Sequence, residues 1–199
     1  MKPFHRVSSP VAVLDRPDVD TDQIIPKQFL KRIERTGFGQ FLFFDWRLDA
    51  SGQPRPEFEL NDPACAGAKI LIAGANFGCG SSREHAAWAL QDYGFEVVIA
   101  PSFGDIFASN AFQNGLVLVT LPSEQIRPLI ASAELTVDLE DQTISTPSGE
   151  TIPFEFDSFR RHCLLNGLDD IALTLEHGNE IDAFESARPA AVDTTALSV

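Results

Sequence analysis

The sequence of 199 residues has few cysteines and no long apolar run. Its three cysteines, Cys65, Cys79 and Cys163, form no CxxC pair and are odd in number. This pattern argues against a disulfide scaffold and favours a reducing compartment. No stretch of about 18 apolar residues occurs, and the N-terminus lacks the apolar segment of a signal peptide. We therefore expect a cytoplasmic protein that does not span a membrane.

Basic residues are also scarce. The chain carries 15 Lys and Arg against 29 Asp and Glu, for a formal net charge of −14. A general nucleic-acid binder needs basic side chains to neutralise phosphates, so the composition argues against that class. The deficit is uneven, because residues 1–100 carry 11 basic and 13 acidic side chains whereas residues 101–199 carry 4 and 16. Any anion is therefore expected to bind to the first half.

The chain is long enough to bury a core without disulfides or a structural metal. We expect one domain over residues 1–188 and a flexible C-terminal tail over 189–199, where there is little to bury. The centre predicts a βαβ unit with parallel strands: the apolar runs Lys69–Ala73 and Glu96–Ala100 flank a helix over Arg83–Tyr93. Further helices are expected near 103–113, 123–133, 158–166 and 168–187, and further strands near 116–121, 135–139, 143–146 and 152–156.

The loop between the first apolar run and the helix holds the residues best suited to chemistry. Gly78 and Gly80 allow backbone angles that other residues resist and a close approach of main chain to a ligand. Ser81 or Ser82 is suited to cap the helix, and free N–H groups at a helix start bind anions. Arg83 adds a planar charge that fits a carboxylate or a phosphate.

The same loop admits two other interpretations. In the first, it is a structural turn in which a serine caps the helix, Arg83 is solvated and His85 packs against its neighbours. In the second, it binds a phosphate group. The segment has no G-K-[ST], as a Walker A loop would, and Arg83 occupies the place of the third glycine of G-x-G-x-x-G. Its residues thus give nucleotide binding weak support.

A resemblance to a known family extends this interpretation. The ten residues Asn76–His85, NFGCGSSREH, resemble the signature of the swivel domain of the aconitase superfamily. With the flanking segments, the match resembles the family of bacterial 3-isopropylmalate dehydratase small subunits over about residues 4–188. The flanking segments, in order, are Asp20–Leu30, Arg35–Gly39, Asp45–Arg47, Asp92–Phe95, Ala100–Phe103, Phe159–Cys163 and Asn166–Leu168.

The resemblance implies an α/β fold of the aconitase swivel type, a β/α sandwich with a mixed sheet and flanking helices. It also implies a hydro-lyase of leucine biosynthesis, which isomerises 2-isopropylmalate to 3-isopropylmalate through 2-isopropylmaleate. In the family, a large subunit is the partner and holds a [4Fe-4S] cluster. Because the three cysteines here lack ligand spacing, we expect no metal or cofactor on this chain and a catalytic site that needs the partner.

Site residues follow from the resemblance position by position. The serine that abstracts the substrate proton falls on Ser81. Four basic residues, Lys27, Lys31, Arg32 and Arg35, stand within nine positions. Their region matches a loop that closes over the substrate, although such a run by itself equally fits a solvated helix face. The remaining implied residues are Gly80, Ser82, Arg83, Arg35 and Leu30 in substrate binding, and Asp22 and His85 as supporting residues.

Two classes of alternative function remain at this point. Small subunits of related hydro-lyases, such as homoaconitase, citraconate or methylmalate hydratase and dimethylmaleate hydratase, share the Gly-Ser-Ser-Arg loop and differ over residues 27–38. A non-catalytic anion-binding module would keep the fold without the reaction. Turnover of a panel of substrates would distinguish the related hydro-lyases from one another. The effect of replacing Ser81 on turnover would distinguish a catalytic subunit from a non-catalytic module.

Overall fold

The computed structural model describes residues 1–31 and 36–187. Their centre is a seven-stranded mixed sheet in an α/β arrangement. The strands are β1 (Arg6–Leu14), β2 (Ile70–Ala73), β3 (Val97–Ala100), β4 (Val117–Thr120), β5 (Glu134–Asp138), β6 (Thr143–Ser145) and β7 (Thr151–Pro153). They lie in the order β4-β3-β2-β1-β5-β6-β7.

Helices connect and cover these strands. They are α1 (Thr21–Ile24), α2 (Phe44–Arg47), α3 (Glu84–Tyr93), α4 (Asp105–Asn114), α5 (Ser123–Ile130), α6 (Ser158–Asn166), α7 (Asp170–Glu176) and α8 (Gly178–Ala187). Single 3-10 turns occupy Lys27–Lys31, Gly39–Phe41, Glu59–Asn61 and Pro63–Cys65. Within the described ranges, none of the helices is long and apolar enough to cross a membrane.

Strand β1 joins two differently built halves of the sheet. Its second part, Val11–Leu14, runs parallel to β2, and β3 and β4 continue the parallel half. Its first part, Arg6–Pro10, pairs antiparallel with β5, and β6 and β7 continue that half as a meander. The carboxyl ends of β1, β2 and β3 therefore meet at one edge, where ligands commonly bind in α/β sheets.

Two apolar clusters cover the two faces of the parallel half. Leu71 and Ala73 of β2 face one cluster with helices α3 and α4, whereas Ile70 and Ile72 face the other with α5 and α6. Strands β2 and β3 are apolar and buried on both faces, which is typical of the central strands of parallel sheets. The sequence shows this as uninterrupted apolar runs.

The predicted βαβ unit is confirmed, with β2 and β3 parallel and α3 between them. Gly94 ends α3 with φ +124°, in keeping with a glycine just after a helix. The single helix expected over 168–187 is wrong, because α7 ends at Glu176 and α8 begins at Gly178. The predicted tail, 189–199, lies outside the described residues.

Candidate active site

The glycine loop, residues 74–83, leaves the carboxyl end of β2 and lies between two neighbouring loops. On one side, the Gly78 N–H donates to the Val19 carbonyl at 2.7 Å. On the other, the Phe77 N–H donates to the Ser102 carbonyl at 3.1 Å. The loops after β1, β2 and β3 are thus joined by backbone hydrogen bonds, which give the glycine loop a defined path.

Two glycines are required by close packing at this junction. Gly78 has φ +75°, and a Cβ placed on it would lie 2.3 Å from the ring of Phe107, a buried residue of α4. A Cβ on Gly104 would lie 2.6 Å from the Gly78 carbonyl oxygen. The glycine loop therefore packs directly on the start of α4, at a distance that side chains would not permit.

The start of α3 differs from the prediction that Ser81 or Ser82 caps it. Arg83 occupies the N-cap position, with φ −143° and ψ 105°, and its side chain makes no capping hydrogen bond. Glu84 is the first helical residue, so Ser82 stands one position too early to reach the free amides. Both serine side chains are exposed and their hydroxyls make no hydrogen bond to a described residue.

The backbone amides of residues 80–85 lie at the start of α3 and just before it. From Gly80 to His85, no N–H group donates a hydrogen bond to any of the described residues. Free N–H groups at a helix start carry partial positive charge and bind anions. Because the two serine hydroxyls lie in the same run, the segment can present both hydroxyls and amide donors to an anionic ligand.

The Arg83 side chain is held by an ion pair with Asp22 of α1. Its side chain is only 8% exposed, and one guanidinium nitrogen pairs with a carboxylate oxygen of Asp22. The other oxygen of Asp22 lies 3.5 Å from the Lys27 ammonium. Among the described residues, Asp22 is the only acceptor that Arg83 bonds, so its remaining N–H groups stay available to a ligand.

The Arg83 pair also governs the titration of Asp22. The hydrogen bond from Arg83 lowers the pKa of the Asp22 carboxyl below its usual value, and the charges of Arg83 and Lys27 act in the same direction. Partial burial of the carboxyl opposes this effect but is smaller than the hydrogen-bond contribution. Asp22 is therefore ionised at neutral pH and can balance the charge of Arg83.

This shift predicts a pH-dependent stability difference between the wild type and Asp22→Asn. A lowered folded-state pKa stabilises the fold above the unfolded value of about 4, and the contribution disappears as pH falls through the folded value. We expect the wild type to have the larger free energy of unfolding, with a constant difference over about pH 6–8 that shrinks towards about pH 3. Urea titrations measure it, and a difference independent of pH would contradict the assignment.

The His85 side chain packs against aromatic rings. Its ring lies edge-on to Phe38, with 5.2 Å between ring centroids, and 4.7 Å from the ring of Trp88. Burial lowers the pKa of His85 below its usual value, against a smaller opposing effect of the Glu84 charge. The imidazole is therefore neutral near pH 7. The supporting role of His85 in the site stays a prediction.

The segment expected to close over the substrate is described only in part. Leu30, half-buried, packs against the core cluster that includes α3, and Lys27 and Lys31 are exposed. Arg35, predicted to bind substrate, lies outside the described residues together with Arg32. The structure thus places the beginning of this segment beside Asp22, through the 3.5 Å contact of Lys27.

The cysteines offer no site for an iron–sulfur cluster. Burial, followed by the charges of Asp20 and Asp18, raises the pKa of the Cys79 thiol, so this cysteine is protonated at neutral pH. Within residues 1–31 and 36–187, no three His, Cys, Asp or Glu side chains are grouped as a metal site. The donor set that such a cluster needs, several thiolates in close proximity, does not fit these residues.

Sequence reasoning missed one residue that contacts the loop directly. Thr21 is 1% exposed, and its hydroxyl donates to the Ser81 carbonyl at 2.9 Å. Its N–H donates to the Cys79 carbonyl, also at 2.9 Å. The available signal was its place in the Asp20–Asp22 segment of the resemblance, but nothing local in the sequence links it to a loop 60 residues away.

Comparison with known families covers most of the chain. The family model of the aconitase C-terminal domain matches residues 1–124. A second model, LeuD_N, matches residues 130–158. A third model, which describes the C-terminal domain of the 3-isopropylmalate dehydratase small subunit, matches residues 170–192. The glycine loop and Asp22 both fall in the first of these matches.

Individual relatives carry the same name. A 3-isopropylmalate dehydratase small subunit from Bacillus subtilis is 56% identical over 193 residues, covering 94% of this chain and 97% of the relative. One from Acidobacterium capsulatum is 57% identical over 191 residues, covering 93% and 90%. The solved structure of 3-isopropylmalate dehydratase from Methanocaldococcus jannaschii is similar with a TM-score of 0.67 and 26% identity, over 90% of this chain and 99% of that one.

Proposed function

Because the chain belongs to the family of 3-isopropylmalate dehydratase small subunits, we propose that it provides the proton-transfer loop of a two-subunit hydro-lyase. The reaction is the isomerisation of 2-isopropylmalate to 3-isopropylmalate through 2-isopropylmaleate. Its substrate carries two carboxylates and a branched apolar group. The site on this chain must therefore bind anionic oxygen and move a proton.

The observation that carries the proposal is the run of backbone amides over Gly80–His85, which donate to none of the described residues. The run includes both exposed serines, and the side chain at the N-cap, that of Arg83, makes no capping hydrogen bond. Arg83 stands in the same run, and Asp22 is the only acceptor that it bonds in the described part of the chain, so further guanidinium N–H groups are available to a ligand. Amide donors and a guanidinium together suit a substrate carboxylate.

Ser81 has the role of the base in this proposal. In the dehydration step its Oγ, as an alkoxide, takes the proton from the carbon beside the hydroxyl-bearing carbon, and the double bond forms as the hydroxyl leaves. In the hydration step the Ser81 hydroxyl returns the proton to the carbon that lost the hydroxyl, while hydroxide adds to the other carbon, so the alkoxide is regenerated. A serine alkoxide is unfavourable in water, so the amides and Arg83 stabilise it through their positive charge.

The reaction also needs a partner. We assign the [4Fe-4S] cluster of this family to the large subunit, because the described cysteines of this chain do not form a ligand set. Ser82 and the Gly80 amide are assigned to the substrate carboxylate, and Asp22 holds Arg83 for the same contact. The site is then completed when the partner lies over the carboxyl edge of the sheet.

Selection of the substrate is assigned to the segment that follows α1. Leu30 lies near the apolar core and Lys27 contacts Asp22, so the segment begins beside the anion site. We propose that Leu30 contacts the isopropyl group and that Arg35 contacts a carboxylate when the segment covers the substrate. Related hydro-lyases with smaller or charged side groups would differ here.

Reconstitution with the large subunit tests the proposed function. We expect neither subunit alone to turn over 2-isopropylmalate, and the mixture to form 2-isopropylmaleate, followed by its ultraviolet absorbance. Among 2-isopropylmalate, methylmalate, dimethylmalate and homocitrate, the first should have the highest kcat/KM. A higher kcat/KM for another acid would make that acid the substrate in place of 2-isopropylmalate. The absence of turnover with every acid in a cluster-loaded complex would refute the hydro-lyase role.

A further inference from the structure

Thr21, the first residue of α1, is hydrogen-bonded to the glycine loop. It is almost fully buried, and it contacts the loop with both of its hydrogen-bond donors. Its backbone N–H donates to the Cys79 carbonyl, and its hydroxyl donates to the Ser81 carbonyl, each at 2.9 Å. These two carbonyls flank Gly80, whose φ of +94° leaves the loop without a local preference for one path.

The two hydrogen bonds also set the direction of the amides. In a trans peptide, the carbonyl and the following N–H point in opposite directions. Because the Cys79 and Ser81 carbonyls point to Thr21, the N–H groups of Gly80 and Ser82 point away from it. Both N–H groups belong to the run that donates to no described residue. Thr21 therefore turns these two donors away from α1.

Thr21 is itself held firmly in place. Asp20 caps α1 by accepting from the Gln23 N–H at 2.8 Å, and the Asp20 N–H donates back to the Gln23 side chain at 2.8 Å. This reciprocal capping box fixes the first turn of the helix. The next residue, Asp22, binds Arg83. One short helix thus contacts two of the proposed site residues, Ser81 through Thr21 and Arg83 through Asp22.

We propose that Thr21 is a positioning residue for Ser81: its hydroxyl holds the Ser81 carbonyl so that the serine side chain and the adjacent amides face the substrate. The inference rests on the proposed role of Ser81. A displacement of about 1 Å at a reacting group can lower a rate by about 100-fold. The hydroxyl of Thr21 is therefore expected to matter for kcat, although it touches no substrate.

The test compares Thr21→Val with Thr21→Ser in the complete enzyme with its large subunit. Valine keeps the shape and removes the hydroxyl, whereas serine keeps the hydroxyl. We expect kcat of the assembled enzyme to fall about 10- to 100-fold in Thr21→Val and to stay within about threefold of the wild type in Thr21→Ser. Thr174→Val is the matched control, since the Thr174 hydroxyl also donates to a backbone carbonyl, that of Asp170, at 2.8 Å.

A double variant separates this inference from the proposed function. If Thr21 acts through Ser81, Thr21→Val should lower the residual rate of Ser81→Ala by less than about twofold. Full additivity, an unchanged kcat in Thr21→Val, or an equal loss in Thr21→Ser would overturn the inference. If Ser81→Ala itself keeps its activity, the role of Ser81 fails instead. Where Thr21→Val does not assemble, near-normal kcat in Thr21→Ser and loss in Thr21→Ala decide the question.

Discussion

Replacement of Ser81 by alanine is expected to lower kcat by about 10²–10⁴-fold, the range that general acid–base catalysis contributes. The substitution removes one hydroxyl from an exposed side chain that makes no hydrogen bond to a described residue. The free energy of unfolding should therefore change little. The backbone amides and Arg83 remain, so KM should stay within a few-fold of the wild type. Steady-state kinetics of the reconstituted enzyme measure both parameters.

The control for this variant is Ser148→Ala, an exposed serine in the turn between β6 and β7. It should retain wild-type kcat and assemble normally with the large subunit. Co-elution of Ser81→Ala with the large subunit shows that the loss is chemical and not a failure of assembly. A Ser81→Ala enzyme with kcat within about threefold of the wild type would remove Ser81 from the mechanism and favour a binding role for the loop.

Gly78→Ala is expected to give the largest loss of stability. A non-glycine residue at positive φ costs roughly 1–2 kcal/mol, and insertion of a methyl group into a packed core costs about 1–3 kcal/mol more. Here the methyl group would lie 2.3 Å from the ring of Phe107, which is buried and cannot swing into solvent. The summed cost is about 2–5 kcal/mol, measurable by urea unfolding of the chain.

The matched control is Gly52→Ala. Gly52 has φ +79°, close to that of Gly78, but a Cβ placed on it would meet nothing within 4 Å. This variant carries the backbone cost alone, so it should lose only about 1–2 kcal/mol. The difference between the two variants measures the close approach of the loop to α4. Equal losses would show that Phe107 moves aside without cost.

Activity should follow stability in Gly78→Ala. The Gly78 N–H donates to the Val19 carbonyl, two residues before Thr21, and this bond holds the loop beside the segment that positions Ser81. If the ring of Phe107 pushes the loop outward, that hydrogen bond lengthens and the hydroxyl of Thr21 loses its acceptor. We therefore expect kcat to fall in the fraction of Gly78→Ala that folds.

The regular elements were predictable from local pattern. Strands β2 and β3 are buried on both faces. Such a strand is a short run of apolar residues, so it can be predicted from those few residues alone. The cap at Arg83 was not predictable, because Ser81 and Ser82 have the right side chains for capping but the wrong position relative to Glu84. The break between α7 and α8 was not predictable either, because the residues on both sides of His177 have a composition typical of helices.

By itself, the sequence determined the α/β class, the parallel βαβ unit and the identity of the glycine loop, because each depends on neighbouring residues or on a contiguous motif. Only the tertiary structure decided that no residue within 1–31 and 36–187 accepts from the Gly80–His85 amides, that Arg83 pairs with Asp22 and that Thr21 holds the Ser81 carbonyl. The physical reason is that these contacts join residues about 60 positions apart, and they exist only once the parallel strands bring their carboxyl ends to one edge.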